Sequence, residues 1–234
     1  MKPLLALLQF CTVLPLGRSV DFDYFARRSY LYPIAGYVIG CIAALAVFFI
    51  PSPALAAAVA LATVLLVSGC NHFDGLIDFG DGLMAHGSRE KRVQAMTDRH
   101  AGAGAVAAAL IVTLLAFAGL QSAGPIWIAI LFAEVFAKLA ISYMTTLGPP
   151  FREGIHSYLH GCARPRFLVY ATALALPLAL LSWPRFAAAA AATLIVVAVM
   201  LRLSRRLFGG VNGDVVGATH EIARAGVIVA LALL

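Results

Sequence analysis

Long apolar segments, separated by short polar ones, are the feature that most constrains how this chain can fold. Each is close to the ~20 residues that a helix needs to cross the hydrocarbon core of a bilayer. Residues 3–16 form a shorter apolar segment, which favours an interfacial or re-entrant helix over a span. The candidate spans are residues 31–50, 53–71, 101–121, 125–146, 167–183, 186–201 and 215–234.

Charged residues make up only 12% of the chain, whereas soluble domains usually carry about 25%. We therefore expect an all-α fold, a polytopic integral membrane helical bundle of about seven spans. Residues 1–234 would form a single membrane-embedded domain. The four cysteines form no C-x-x-C pair and indicate no disulfide framework. The N-terminal MKPLLALLQF lacks the cleavage site of a signal peptide, and nothing in the sequence indicates nucleic-acid binding.

Basic residues are concentrated in alternate polar segments, which predicts one topology. Segments 18–30, 86–100, 148–166 and 202–214 hold most of the arginines and lysines, and the intervening turns hold Arg185 alone. By the positive-inside rule, the basic segments face the cytoplasm. We therefore expect a multi-pass protein of the cell (inner) membrane, with its polar residues at the cytoplasmic face.

One acidic stretch, NHFDGLIDFGDG at residues 71–82, directly follows an apolar run of membrane length. On a helix, Asp74, Asp78 and Asp81 fall within a wedge of about 60°, where like charges repel. A solvated acidic helix face is the alternative, but carboxylates beside a membrane are costly without a function. A divalent cation between them would offset the repulsion. Because thiolate and paired imidazole ligands are lacking, Mg²⁺ or Mn²⁺ is favoured.

Asp98 lies in the polar segment that follows. Ser88 is placed to cap a short helix through Glu90–Thr97, which would return Asp98 to the membrane surface beside the acidic stretch. There it is a candidate fourth carboxylate, either a metal ligand or a base. The neighbouring basic residues are explained by topology or by phosphate binding through guanidinium groups.

Two further polar groupings lie in apolar surroundings. Glu134 and Lys138, at i and i+4, are expected to pair on an interior or cavity-facing helix surface. In the C-terminal part of the chain, Asp214 and Glu221 share a helical face with Gly217. A glycine-rich packing seam with a cap at residue 212 or 214 is the alternative to a ligand site there.

Three motifs occur in one order along the chain. They are HxDGxxDxxDG at His72–Gly82, MxDxxxG at Met96–Gly102 and GGxNGDxxGAxxE at Gly209–Glu221. With the triplet Arg152–Gly154, they resemble the cobalamin synthase family, and the resemblance extends over most of the chain. The family commonly has Ser-Arg where this chain has Arg99 and His100, and arginine is frequent at the position of Lys138.

The resemblance implies a membrane adenosylcobinamide-GDP ribazoletransferase, which carries out a late step of cobalamin biosynthesis. The ribose 3′-hydroxyl of α-ribazole, or of its 5′-phosphate, attacks the phosphorus carried by adenosylcobinamide, and GMP leaves. The product is adenosylcobalamin or its 5′-phosphate. Such phosphoryl transfer needs mainly positioning and charge neutralisation, and the implied cofactor is Mg²⁺.

The same resemblance assigns roles to the polar residues of the motifs. Asp98 and Asp81 are the candidate catalytic carboxylates. Asp74, Asp78, Asp81 and Asp98 are the candidate metal ligands. The candidate substrate contacts are His72, Arg99, His100, Lys138, Arg152, Asn212, Asp214 and Glu221. The lipid bilayer is a partner, and a homo-oligomer or a complex with other corrinoid-assembly enzymes is left open.

Three other classes share part of this pattern. Asn71, Asp74 and Asp78 also fit the first aspartate motif of intramembrane, Mg²⁺-dependent prenyltransferases, although a matching second motif is missing. A CDP-alcohol phosphotransferase-like enzyme would need an alanine where Asp78 stands. A cation transporter would place carboxylates near mid-membrane at broken helices, whereas most acids here cluster at one edge.

Overall fold

The structure, a computed structural model, describes all residues 1–234 and is built from α-helices joined by short turns, with no β-strand. The all-α prediction is therefore confirmed. Two 3₁₀ segments, Ser29–Leu31 and Leu176–Leu180, precede and follow longer helices. The helices are α1 (Lys2–Cys11), α2 (Asp23–Ala26), α3 (Tyr32–Val47), α4 (Pro53–Val67), α5 (Asn71–Met84), α6 (Arg89–Met96), α7 (Ala103–Ser122), α8 (Ile126–Leu147), α9 (Ile155–Cys162), α10 (Arg166–Ala175), α11 (Trp183–Leu207) and α12 (Gly213–Ala232).

Five helical segments are long and apolar enough to cross a membrane: Ser29–Val47, α7, α8, α11 and α12. Together α4 and α5 would make a sixth, but the two helices are bent by 96° at their junction. The expected span at 167–183 is instead a shorter apolar helix, Arg166–Leu180. Pro177 lies within it, and proline both removes a backbone donor and disfavours helical geometry in the residue before it. The count is thus five or six, against about seven expected.

The bend between α4 and α5 places the acidic stretch on a helix of its own. Gly69 and Cys70 both have left-handed backbone angles, with φ of 65° and 58°. The Cys70 N–H donates to the Leu65 carbonyl at 2.9 Å, and the Gly69 N–H to the Leu66 carbonyl at 3.1 Å. This is a Schellman ending, so α4 stops here and the chain turns sharply into α5.

Helices α8 and α12 form the interior of the bundle, and most of their residues are buried. Glycines let α3 approach α8 closely: a Cβ added at Gly36 would lie 2.7 Å from the Glu134 carbonyl oxygen. Small residues at such contacts are typical of membrane helices, because they allow the backbones to approach.

The four basic segments meet at one end of the bundle. The Val211 N–H donates to the Pro149 carbonyl at 2.9 Å, and the Phe151 N–H donates to the Val211 carbonyl at 3.3 Å. The Tyr158 hydroxyl donates to Asp23. Segments 148–166 and 202–214 are therefore joined to each other, and 148–166 also contacts 18–30. The Arg89 guanidinium lies against Gly209, which adds segment 86–100 to the same end.

Candidate active site

The acidic stretch and the C-terminal glycine-rich motif converge. Helix α5 packs against the start of α12 through glycines on both sides. A Cβ added at Gly75 would lie 2.8 Å from the Asp214 carbonyl oxygen, and one added at Gly217 would lie 3.0 Å from the His72 carbonyl oxygen. Because neither glycine has a side chain, the two backbones lie close enough for their carboxylates to face one space.

That space is a cavity of about 450 Å³. Carboxylates from three parts of the chain line it: two from α5, one from the α6–α7 connection and one from α12. The guanidinium groups of Arg99 and Arg152 supply positive charge at its wall. The lining residues are Asp74, Asp78, Met96, Thr97, Asp98, Arg99, Arg152 and Asp214. We call this space the acidic cavity.

Asp98 reaches the acidic cavity because α6 folds back as predicted. The Ser88 hydroxyl accepts a hydrogen bond from the Lys91 N–H at 3.5 Å and caps α6. The Asp98 carboxylate accepts one from the His100 N–H at 2.9 Å and lies 3.0 Å from His100 Nδ1. These hydrogen bonds lower the pKa of Asp98 below its usual value. Asp98 is therefore held as a carboxylate at neutral pH, while the His100 ring is exposed to solvent.

Asp81 is placed differently from the other carboxylates of its helix. Its side chain accepts hydrogen bonds from the Gly102 N–H at 2.7 Å and the Ala105 N–H at 2.8 Å, at the start of α7. It therefore stabilises the amino end of α7, where a negative charge is favoured. Asp81 does not line the acidic cavity, and its catalytic and metal roles stay predictions.

Asp214 lies where three cavities meet. Its carboxylate pairs with Arg152 at 3.1 Å and accepts a hydrogen bond from the Asn212 amide at 2.7 Å. The Asn212 side chain also caps α12 by accepting from the Val215 N–H at 3.0 Å, so the cap that was the alternative to a ligand site is present. Besides the acidic cavity, Asp214 lines a polar cavity of about 320 Å³ that includes Arg152 and Glu153.

The third cavity at Asp214, of about 400 Å³, is walled largely by apolar and aromatic side chains from α1, α3, α8 and α9. Its polar wall includes His72 and His156. Burial lowers the pKa of His156 to about 4, so the ring is neutral, and it contacts the Gly148 carbonyl at 2.9 Å. We call this space the apolar cavity.

The expected pair of Glu134 with Lys138 is wrong. Glu134 pairs instead with Arg224 of α12 at 3.1 Å, and Arg224 also contacts Glu221. Lys138 Nζ lies 3.4 Å from His72 Nε2. The Arg224 guanidinium contacts the carboxylates of both Glu134 and Glu221, whereas Lys138 contacts neither.

Glu221 is accordingly buried within the bundle, and its carboxylate lies 3.1 Å from His220 Nδ1. Glu221 lines none of the three cavities that meet at Asp214. Arg224 and His220 are the residues that sequence reasoning missed. A cation such as Arg224 inside an otherwise apolar helix is a signal for a buried acidic partner.

No three His, Cys, Asp or Glu side chains are arranged to hold a metal ion in this structure. The acidic side chains of the cavity nevertheless offer carboxylate oxygens. Mg²⁺ prefers oxygen ligands and usually takes one or two carboxylates, with water or phosphate completing its coordination. The chemistry of the residues therefore fits this ion, and the Mg²⁺ site stays a prediction.

Fold and site together define a polytopic helical membrane protein whose acidic, arginine-flanked cavity lies at one end of the bundle. The chain belongs to the cobalamin-5-phosphate synthase family, whose model matches residues 3–232.

Three of its relatives carry the name adenosylcobinamide-GDP ribazoletransferase. The protein of Halorubrum lacusprofundi is 40% identical, covering 93% of this chain and 91% of the relative. That of Methanocella arvoryzae is 38% identical, covering 94% and 91%. That of Thermococcus kodakarensis is 33% identical, covering 97% of both. No solved structure matches the chain.

Proposed function

We propose that the protein is an adenosylcobinamide-GDP ribazoletransferase of the cell membrane, with its active site at the cytoplasmic face. The observation that carries this proposal is the acidic cavity, because all three sequence motifs of the family contribute to its wall. The relatives carry the name of this activity and align with nearly the whole chain. Neither a transporter nor a prenyltransferase is favoured by these relatives.

In the proposed reaction, the ribose 3′-hydroxyl oxygen of α-ribazole, or of its 5′-phosphate, forms a bond to the phosphorus attached to adenosylcobinamide. The bond from that phosphorus to the bridging oxygen breaks, and GMP leaves with the electron pair. The hydroxyl proton passes to a carboxylate or to water. Arg99 and Arg152, which line the acidic cavity, would bind the non-bridging oxygens of the diphosphate, since guanidinium groups bind phosphate bidentately.

Four carboxylates around a diphosphate would repel it, so the acidic cavity requires additional positive charge. We propose that Mg²⁺ provides it. One or two of the carboxylates in the wall, which are Asp74, Asp78, Asp98 and Asp214, would hold the ion, and water or phosphate oxygens would complete its coordination. When bound, the ion would neutralise charge on the phosphoryl oxygens and on the leaving group. Asp81 would support these residues by fixing the start of α7 beside α5.

The apolar cavity suits the nucleoside substrate. Its volume of about 400 Å³ is within the range of ligand pockets, and such pockets combine apolar walls with a few polar groups. Phe10, Tyr32 and Leu159 would contact the base of the nucleoside. Because Asp214 lines both cavities, a nucleoside bound in the apolar cavity would have its ribose directed towards the acidic cavity.

The direct test is to incubate the purified protein with adenosylcobinamide-GDP, α-ribazole and Mg²⁺ and to measure GMP release. We expect Asp78→Asn to abolish most turnover, and chelation of Mg²⁺ to do the same to the wild type. Glu90→Gln is the matched control, because Glu90 is exposed on α6 in the same region but does not line the cavity. Normal turnover by Asp78→Asn at low Mg²⁺ would show that the metal role is wrong.

A further inference from the structure

A second charged cavity, of about 570 Å³, lies at the end of the bundle where the basic segments meet. It shares no lining residue with the three cavities at Asp214. Two arginines come from the connection after α2, one comes from the α9–α10 connection and one is the first residue of α10. The lining residues are Arg27, Arg28, Tyr30, Gly161, Cys162, Arg164, Arg166, Phe167 and Tyr170. We call this space the arginine cavity.

Positive charge in the arginine cavity is mostly uncompensated. Arg27 pairs with Asp23 at 3.4 Å, with both side chains substantially exposed. Arg28 donates to the Tyr24 carbonyl at 3.2 Å, which leaves its charge in place. The other two guanidinium groups, those of Arg164 and Arg166, have no hydrogen-bond or ion-pair partner within the protein. No carboxylate is among the residues that line the cavity.

Aromatic rings also line the arginine cavity. The Tyr30 ring lies 5.0 Å from the Phe167 ring and 5.3 Å from the Tyr170 ring, centroid to centroid. Tyr170 is also partly exposed, and Val169 and Leu176 of the same helical segment are exposed apolar side chains. Tyrosine rings beside exposed aliphatic residues are typical of the level at which the headgroups of a bilayer meet its acyl chains.

We infer that the arginine cavity binds the phosphate group of an anionic membrane lipid. The positive-inside rule explains why each segment is basic, but it does not require four guanidinium groups from two distant segments to line one cavity. Such groups bind phosphate oxygens bidentately, and basic pockets at membrane surfaces bind anionic headgroups. A free phosphate would use the same chemistry, whereas the exposed apolar face of α10 adjoining the cavity suits acyl chains.

The test uses the full-length protein purified in mild detergent with equal amounts of phosphatidylglycerol and phosphatidylcholine. Native mass spectrometry then measures the lipid that stays bound. We expect wild type to retain phosphatidylglycerol selectively, and Arg164→Gln/Arg166→Gln to bind it roughly ten-fold or more weakly, because each basic residue near the headgroup contributes to binding. Arg202→Gln/Arg206→Gln is the matched control: it removes the same charge from exposed residues of another basic segment and should retain the lipid.

A second measurement needs no variant. Phosphatidylglycerol should raise the thermal unfolding midpoint of the wild type, and neither phosphatidylcholine nor inorganic phosphate should do so. Equal loss of lipid in the two double variants would overturn the inference, because the effect would then reflect total charge. Stabilisation by inorganic phosphate, without selective lipid retention, would overturn the assignment to a lipid. This inference does not depend on the proposed enzymatic activity.

Discussion

Asp214 connects the parts of the candidate active site at the scale of a single side chain. It lines all three cavities, and both Arg152 and Asn212 hold its carboxylate in place. A side chain fixed from two sides can position substrates on either side of it without rearranging. Its effect on activity should therefore be large compared with its effect on folding.

We accordingly expect Asp214→Asn to reduce turnover by roughly a hundred-fold, which is the scale for removing one preorganised electrostatic group from an active site. The amide keeps the shape of the side chain, so the thermal unfolding midpoint should change little. GMP release and the unfolding midpoint are the two measurements. Asp21→Asn, an exposed carboxylate outside the cavities, serves as the control. Equal activity in the two variants would contradict the role of Asp214.

Arg224 is important for stability. It is buried and contacts Glu134 and Glu221, so removing it leaves two buried carboxylates without the guanidinium that pairs with them. Breaking a buried ion pair by removing one partner costs about 3–5 kcal/mol. We therefore expect Arg224→Met to lower the thermal unfolding midpoint strongly, and Glu134→Gln added to it to recover part of the loss. If Arg224→Met is as stable as the exposed variant Arg202→Gln, the ion pairs contribute little.

Sequence rules that act over a few residues predicted the helix caps, but they did not predict the ion-pair partner of Glu134. The caps at Ser88 and Asn212 depend only on nearby sequence, and both are present. The partner of Glu134 depends on how α8 and α12 are rotated about their axes. A lysine one turn away on the same helix is compatible with the sequence pattern, but the arginine of another helix makes the contact.

At the scale of helices, the active site depends on how closely α5 approaches α12. Gly75 is the contact point, because an added Cβ would lie 2.8 Å from the Asp214 carbonyl oxygen. We expect Gly75→Ala to push the helices apart, to lower turnover and to cost about 1–3 kcal/mol, as overpacking usually does. Gly161→Ala is the control, since nothing lies within 4 Å of a Cβ there. Unchanged activity and stability in Gly75→Ala would show that the approach is not required.

Helix α9 should respond to pH through His156. Its pKa is lowered from 6.5 to about 4 by burial, so the unfolded chain binds more protons between those values. Stability is then fully present above pH 6.5 and is lost as the pH falls towards 4, by about 2 kcal/mol at pH 5. The unfolding midpoint of the wild type should therefore fall between pH 7 and pH 5. His156→Gln should reduce this fall, and an identical fall in the variant would contradict the assignment.

The three aspartates of α5 show what helical periodicity can and cannot predict about a site. Spacing placed three aspartates of α5 on one face, and α5 is indeed a helix. Its neighbours divide that face: Asp74 and Asp78 line the acidic cavity, while Asp81 bonds to the start of α7. Spacing along one helix does not reveal which neighbour each side chain meets, and the bend at Gly69 is set by backbone geometry that hydropathy does not report.

For the whole molecule, hydropathy predicted the class of fold well, because apolar segments of membrane length have few alternatives to helices. The span count differed where composition alone is insufficient: Pro177 shortens one segment, and the turn at Gly69–Cys70 bends another. The alternation of basic segments was more informative, since those segments do meet at one end of the bundle.

That arrangement leads to a prediction about the orientation of the whole protein. If the basic end faces the cytoplasm, the connection between α5 and α7 lies inside the cell and the turn between α7 and α8 lies outside. We would introduce single cysteines by Glu90→Cys and Ser122→Cys, both at exposed positions, in a variant that lacks the four native cysteines. An impermeant maleimide should then label Glu90→Cys only in inside-out vesicles and Ser122→Cys only in right-side-out vesicles. Labelling in the opposite sense would place the acidic cavity and the arginine cavity on the outer face, where cytoplasmic substrates and inner-leaflet lipids do not reach.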